Sequence, residues 1–355
     1  LVTYIPDSVW QDYYARISRE AIHPENVKKA ALRVVYSPLC GAGGEPVSEM
    51  LTRLGAELHI PESQRLPSGE FASCPTPNPE TDSAFDENYK LAAQCRPDII
   101  LATDPDSDRI AAAIPVGGGF RKLSGNEMGC LLLDYILRNL RKNGTLPEKP
   151  VAVKSIVSTP LADRIAAALG CEMRTVLTGF KYIGGVILEL EEQGCPERFV
   201  LGFEESCGYL KGDYARDKDA VVTAMLIAEM AASYKLEGRT LGDVMDGLYD
   251  EYGHFATGLQ NVQFTSDAQK EHCMALMEAL RRQPPEAVAG FPVTAVTDFR
   301  AGVETVRESG AQRPTGLPQE NMVMLTLGEQ GRVILRPSGT EPKIKFYYTA
   351  RADSM

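Results

Sequence analysis

The segment Thr103-Asp104-Pro105-Asp106-Ser107-Asp108-Arg109 follows directly on an apolar run at residues 99–101. Three carboxylates on alternate residues of a tight turn can point inward together. Packed that closely without a cation they repel one another, so the turn reads as a set of hard oxygen ligands for Mg2+ or Ca2+. A solvated acidic turn is the plain alternative. An apolar strand running into such a loop is how α/β folds present ligand groups, at the carboxyl end of a parallel strand. The calcium loop of the EF-hand does not fit: its sixth position needs Gly and holds Arg109, and its twelfth needs Glu and holds Pro115. A phosphatase nucleophile of the D-x-D-x-[TV] type is disfavoured, since Asp108 stands where Thr or Val belongs. Arg109, beside the cation, suits an anion shared with the metal, such as a phosphate.

The flanking pattern agrees with a layered fold. A helix is expected at residues 9–19, a strand at 32–36 entering Cys40-Gly41-Ala42-Gly43-Gly44, and a helix at 46–54. Strands at 56–60 and 98–102 bracket a helix at 85–94, and the acidic turn leads into a strand at 110–114. After the proline and glycines of 115–119 the alternation restarts. Ser124 and Glu127 form a capping-box signature ahead of a helix reaching about residue 140. Strands at 151–156, 172–176 and 199–201 alternate with helices at 161–169 and 181–192, and a long apolar helix at 219–234 closes this unit. Beyond residue 252 the order becomes strand, helix, strand, a loop with Pro314 and Pro318, then strands at 323–327, 332–335 and 344–348. The expected fold class is α/β: two successive similar α/β domains with mixed, largely parallel sheets (1–122 and 123–248), followed by a smaller α+β domain (249–355).

Bulk properties narrow the partners. A length of 355 residues suggests two to three domains. With 37 basic against 48 acidic residues, the net charge of −11 disfavours nonspecific binding to nucleic acid or anionic membrane, so a phosphate-bearing ligand needs a local basic site. Cys40, Cys74, Cys95, Cys130, Cys171, Cys195, Cys207 and Cys273 form no CxxC pair and no zinc-finger spacing, which fits reduced, mostly buried thiols of a cytoplasmic protein. No apolar run reaches membrane-spanning length.

Three further motifs stand at chain turns. Arg336-Pro337-Ser338-Gly339-Thr340-Glu341-Pro342-Lys343 combines a flexible Gly, two hydroxyls and a guanidinium fork, the parts of an oxyanion nest, although a hairpin turn also explains its Gly and Pro. Gly202-Phe203-Glu204-Glu205-Ser206-Cys207-Gly208-Tyr209 places carboxylate and hydroxyl groups where they can bind sugar hydroxyls or cap the next helix. Downstream of it, Arg216, Asp217 and Lys218 read as a solvated turn. Thr178-Gly179-Phe180-Lys181-Tyr182-Ile183-Gly184 sets a lysine at a strand-to-helix turn, where it can donate a proton, bind phosphate or simply be solvated. The 41–44 glycine loop is weaker as a dinucleotide site, because Pro46 takes the place of the third fingerprint glycine.

In their order and spacing these four loops resemble the α-D-phosphohexomutase superfamily, in its phosphoglucomutase/phosphomannomutase branch. The resemblance implies four domains around a central cleft, each giving one loop. It implies Mg2+ on Asp104, Asp106 and Asp108, with Arg109 near the transferred phosphoryl group and Lys181 as general acid or base. Glu204 and Ser206 would contact sugar hydroxyls, while Arg336, Ser338, Gly339 and Thr340 would hold the phosphate that is not transferred. The implied reaction interconverts hexose 1-phosphate and 6-phosphate through a phosphoserine and a hexose 1,6-bisphosphate, with glucose phosphates the favoured substrates. No Thr-Ala-Ser-His-Asn-Pro-like serine loop occurs in the chain. The expectation is therefore domains two to four of a longer enzyme, inactive alone and partnered by a missing N-terminal domain. The alternative is a noncatalytic phosphosugar-binding protein.

Overall fold

The computed structural model describes residues 3–338 and 342–352. It divides into two units, Leu1–Leu248 and Tyr249–Met355. The first opens with helices α1 (Asp7–Ser18) and α2 (Glu25–Lys29), then strand β1 (Arg33–Ser37), α3 (Gly44–Arg53), β2 (Glu57–His59), α4 (Asp86–Cys95), β3 (Ile99–Thr103), β4 (Ile110–Val116) and β5 (Gly119–Lys122). The sheet order is β2-β1-β3-β4-β5, with β1, β2 and β3 parallel and β4 and β5 turned antiparallel. Every residue of β3 is buried, as an unbroken apolar run in a covered parallel strand requires.

The pattern is then repeated. Helix α5 (Gly125–Lys142) begins at the expected capping box, with Ser124 and Glu127 bonding reciprocally. It is followed by β6 (Val151–Ser155), α6 (Leu161–Ala168), β7 (Glu172–Val176), α7 (Phe180–Glu192), β8 (Phe199–Glu204) and β9 (Gly208–Leu210). The order β7-β6-β8-β9 reproduces the first sheet less its last strand: three parallel strands, then one antiparallel. Strands β5 and β9 escape the sequence pattern because both are short and lie among glycines and polar residues.

Helix α8 (Ala220–Leu236) departs from expectation in its partners. Rather than closing the second sheet alone, it packs on α1, α2, α3, β3 and β4 of the first layer as well as on α5 and β9. A helix apolar on all sides must be covered on all sides, and this one is buried along nearly its whole length. Its two carboxylates, at the cap and in the middle, are both tied. Asp219 caps it by accepting from the Val221 and Val222 N–H groups and also takes the hydroxyls of Tyr13 and Tyr214, each at 2.7 Å. Glu229, fully buried, accepts from the Ile22 N–H and from Tyr135 Oη at 2.8 Å.

The division between the units falls inside α9 (Leu241–Tyr252). The second unit contains β10 (His254–Gln263), α10 (Asp267–Arg282), a small β11 (Ala287–Val288) and β12 (Phe291–Pro292) hairpin, β13 (Ala295–Asp298), β14 (Val303–Val306), β15 (Gln312–Pro314), β16 (Val323–Thr326), β17 (Gly331–Pro337) and β18 (Lys343–Ala352). Seven of its strands form one antiparallel sheet, β10-β18-β17-β16-β13-β14-β15. Met277 of α10 packs with Val293, Val323, Leu325, Leu335 and Ile344 as the core, so the unit is α+β as expected. Strands β14 and β15 were not expected, since residues 303–314 carry charged and polar residues on an edge where little is buried. Among the described residues no helix is long and apolar enough to cross a membrane.

Candidate active site

The acidic turn is the tip of the β3–β4 hairpin. Its first carboxylate, Asp104, is buried and organises the loop: Oδ1 accepts from the Asp108 and Arg109 N–H groups at 3.1 and 2.9 Å, and Oδ2 from Arg109 Nε at 2.7 Å. Burial pushes the Asp104 carboxyl up to about 6 against the pull of those bonds. Asp108 is half-buried and Asp106 exposed, and oxygens of the three carboxylates lie within 4.8 Å of one another. An octahedral Mg2+ with ligands near ~2.1 Å sets neighbouring oxygens about 3 Å apart. The donor set is the hard-oxygen kind such an ion takes. The residues fit the ion.

Two cations already lean on this loop. Arg109 also donates Nη1 to Glu80 Oε1 at 3.0 Å. Lys218, with its side chain 14% exposed, sits 3.0 Å from Asp108 Oδ2 and 3.0 Å from Asp217 Oδ1. It is thus a half-buried ion-pair member rather than part of a solvated turn. Arg216 does stay at the surface, paired with Glu191.

The glycine loop read from sequence as a weak nucleotide site has a different task. The Ala42 N–H donates to Pro105 O at 2.7 Å, and a Cβ at Gly41 would lie 2.3 Å from Pro105 Cα. A Cβ at Gly43 would come within 2.8 Å of Ser107 Oγ, Thr103 Oγ1 and Tyr36 Oη. The loop is the bed on which the acidic turn rests. Its signal in the sequence was a glycine cluster whose spacing fits no phosphate fingerprint. Glu80, the second anchor of Arg109, carried no signal.

The GFEESCGY segment is the tip of the matching β8–β9 hairpin. The buried Glu204 accepts the Gly179 N–H at 2.7 Å, tying this loop to the TGFKYIG turn. Glu205 accepts from Ser155 Oγ at 2.9 Å, and burial, with Glu204 beside it, pushes its carboxyl up to about 7. Burial likewise raises Glu204. Ser206 is half-buried, and its hydroxyl has no partner among the described residues. Lys181 is exposed, with Nζ 4.9 Å from the Tyr182 ring centroid, and forms no ion pair among the described residues.

The two hairpin tips are joined. The Ile110 N–H donates to Cys207 O at 2.9 Å, and Arg109 forms an isolated β-bridge with Gly208. A cavity of about 800 Å³ is lined by Asp106, Asp108 and Lys218 together with Trp10, Tyr13 and Tyr214. In the second unit, Arg336 Nε bonds Glu320 Oε1 at 2.5 Å and the Ser338 N–H donates to Lys343 O at 2.9 Å. Gly339 and Thr340 lie outside the described residues.

Fold and site together define a layered α/β protein with a cation loop and a carboxylate–hydroxyl loop at joined hairpin tips. Comparison with known proteins gives the family. Residues 11–117 match the model of the phosphoglucomutase/phosphomannomutase alpha/beta/alpha domain II, 124–252 that of domain III, and 320–354 that of the C-terminal domain. The chain belongs to the phosphoglucomutase/phosphomannomutase family. It is 34% identical over 331 residues to a Staphylococcus haemolyticus phosphoglucomutase, covering 93% of this chain and 59% of that protein. A Haemophilus influenzae protein described as a probable phosphomannomutase is 34% identical, with coverages of 98% and 67%. The first-matched relatives are thus longer, and the chain spans about three fifths of their length. Paramecium parafusin, a phosphoglucomutase, superposes with a TM-score of 0.69 at 17% identity, covering 97% of this chain and 58% of that one. The Aspergillus fumigatus N-acetylphosphoglucosamine mutase solved with GlcNAc-6P and magnesium does so at 0.51 and 15%, covering 93% and 61%.

Proposed function

We propose that this chain provides the metal site, sugar grip and phosphate anchor of a phosphohexose mutase interconverting hexose 1-phosphate and 6-phosphate, with glucose phosphates as substrates. The observation that carries the reading is the joint between the two hairpin tips, which sets the Asp104-Asp106-Asp108 cluster and Arg109 beside the Glu204–Ser206 loop. Phosphoryl transfer needs alignment and charge neutralisation at a fixed point. Mg2+ on the three aspartates supplies that neutralisation when bound. Arg109, oriented by Asp104 and Glu80, meets the transferred group. Glu204, whose second oxygen is not used by Gly179, and the Ser206 hydroxyl, which has no partner among the described residues, take the sugar hydroxyls. Lys181 serves as general acid or base, and Arg336, Ser338, Gly339 and Thr340 hold the other phosphate.

In this reading a phosphoserine on a domain outside the given sequence passes its phosphoryl group to the free hydroxyl of the sugar phosphate, making hexose 1,6-bisphosphate. The serine O–P bond breaks as the sugar O–P bond forms, and the bisphosphate then returns its other phosphoryl group to the serine. The exposed apolar residues Ile5, Val9 and Trp10, next to Asp106 at the cavity, support a covering domain there. The domain joints are proposed at residues 122/123 and 248/249. Names of the relatives, with the EESCGY and ARDKDA segments, favour glucose phosphates.

The test is calorimetric titration of the chain with glucose 1,6-bisphosphate and Mg2+. Binding is expected, and Glu204→Gln should weaken it by about 10-fold or more, the worth of a hydrogen bond to a charged group. Turnover of glucose 1-phosphate to glucose 6-phosphate is expected only when the serine-bearing domain is present. Absence of binding, or an unaffected Glu204→Gln variant, sinks the sugar-grip reading. Binding without turnover by the full-length polypeptide supports a noncatalytic binder instead.

A further inference from the structure

Lys218 stands in a different relation to the acidic turn from Arg109. The arginine is locked, with Nε on Asp104, Nη1 on Glu80, and Asp104 further tied by two loop N–H groups. The lysine makes one contact with the triad, to Asp108, and one just outside it, to Asp217. Its stem lies across Gly208, where a Cβ would come 2.0 Å from Lys218 Cδ, and its ammonium stands 5.4 Å from the Phe180 ring centroid. Stem and head are therefore guided, while the ammonium has two carboxylates to choose between. A divalent ion bound at about 2.1 Å from an Asp108 oxygen would leave an ammonium on that carboxylate only a few ångströms from the metal, where like-charge repulsion is strong.

We infer that Lys218 is a resident counter-ion of the triad, which leaves Asp108 and keeps Asp217 when the divalent cation enters. The inference rests on the metal-site reading above and adds the exchange: an ammonium gives way as Mg2+ arrives, so the carboxylates are partly neutralised in both states. Mg2+ affinity is then set partly by a residue that is no ligand.

The experiment is Mg2+ titration of the whole chain by calorimetry, with three proteins. Wild type should bind and Asp106→Asn should lose binding; if wild type does not bind, or Asp106→Asn binds equally well, the metal-site reading falls and the exchange with it. Lys218→Met, which keeps the stem across Gly208, should bind about two- to fivefold tighter, the scale of an ion pair no longer broken. Affinity equal to that of wild type, or weaker, overturns the exchange while leaving the metal site standing. A second readout needs no variant. A crystal structure of the wild-type chain with Mg2+ should show Lys218 Nζ moved beyond about 4 Å from Asp108 Oδ2 and still paired with Asp217, where both contacts are 3.0 Å without the ion. Lys218 still paired with Asp108 in that structure overturns the inference even where Lys218→Met fails to fold.

Discussion

The β3–β4 and β8–β9 hairpins occupy the same place in two sheets of the same order, and they differ in what balances their carboxylates. Each leaves the carboxyl end of a central parallel strand and returns antiparallel. Each turns on a non-glycine residue with positive φ, Ser107 at 58° and Cys207 at 67°. Each rests on a glycine with no room for a side chain, Gly41 under Pro105 and Gly125 against Glu205. The first tip, however, gathers three aspartates against Arg109 and Lys218, whereas the second holds two glutamates whose close partners are a backbone N–H and a serine hydroxyl. A shared frame thus serves two purposes: one tip holds charge against charge, and the other presents carboxylates to backbone and hydroxyl donors. The first suits a metal and a phosphoryl group, the second uncharged hydroxyls.

The largest expected effects come from the paired glycines, and they test whether the tips work separately. Gly41→Ala drives a Cβ into Pro105 backbone and should lower Mg2+ affinity about 10- to 100-fold, as loss of the shell around metal ligands does, with about 2–3 kcal/mol of stability lost to overpacking. Gly125→Ala would meet Glu205 O at 2.1 Å and should cost similar stability while weakening bisphosphate binding more than Mg2+ binding. Calorimetry and thermal melts on both variants decide; equal loss of both ligands in both variants would show that the joint at Arg109 and Gly208 makes the tips one unit.

A smaller effect concerns pH. The Glu205 carboxyl is raised to about 7 by burial, so above its unfolded value near 4.5 the folded state binds a proton that the unfolded state has lost. Its contribution to stability is complete below about 4.5 and is lost as pH rises toward 7. Replacing it with Gln removes this slope, so urea-derived stability of Glu205→Gln relative to wild type should improve steadily from pH 4.5 to 7 and then level off. A pH-independent difference would place Glu205 among ordinary solvated carboxylates.

The smallest concerns backbone strain. Ser107 holds a left-handed conformation and its buried hydroxyl has no partner among the described residues. Ser107→Gly should therefore stabilise the chain by about 1 kcal/mol, read from the melting midpoint. Destabilisation would mean that Ser107 makes a contribution to the glycine bed that outweighs its strain.

Much of this was legible before folding. The apolar run before Asp104, the alternation of strands and helices, and the capping box at Ser124 each depend on neighbours in sequence, and each recurs at its expected place. Strands β5, β9, β14 and β15 did not show, because segments of only three or four residues are too short to impose a periodic pattern. The place of α8 could not show either: an all-apolar helix announces that it is covered without saying by what.

The site divides along the same line. Sequence alone determined the ligand chemistry, since three alternating aspartates after a buried strand are hard oxygen donors wherever that strand lies. Only the tertiary structure decided what those donors face. Gly41 and Gly43 lie about sixty residues before the acidic turn, Glu80 about twenty-five before it and Lys218 more than a hundred after it. Their meeting there is set by sheet order and by α8 packing across both layers, which no local pattern encodes. The charge of the loop was written in its own residues; the cations that balance it were brought by the fold.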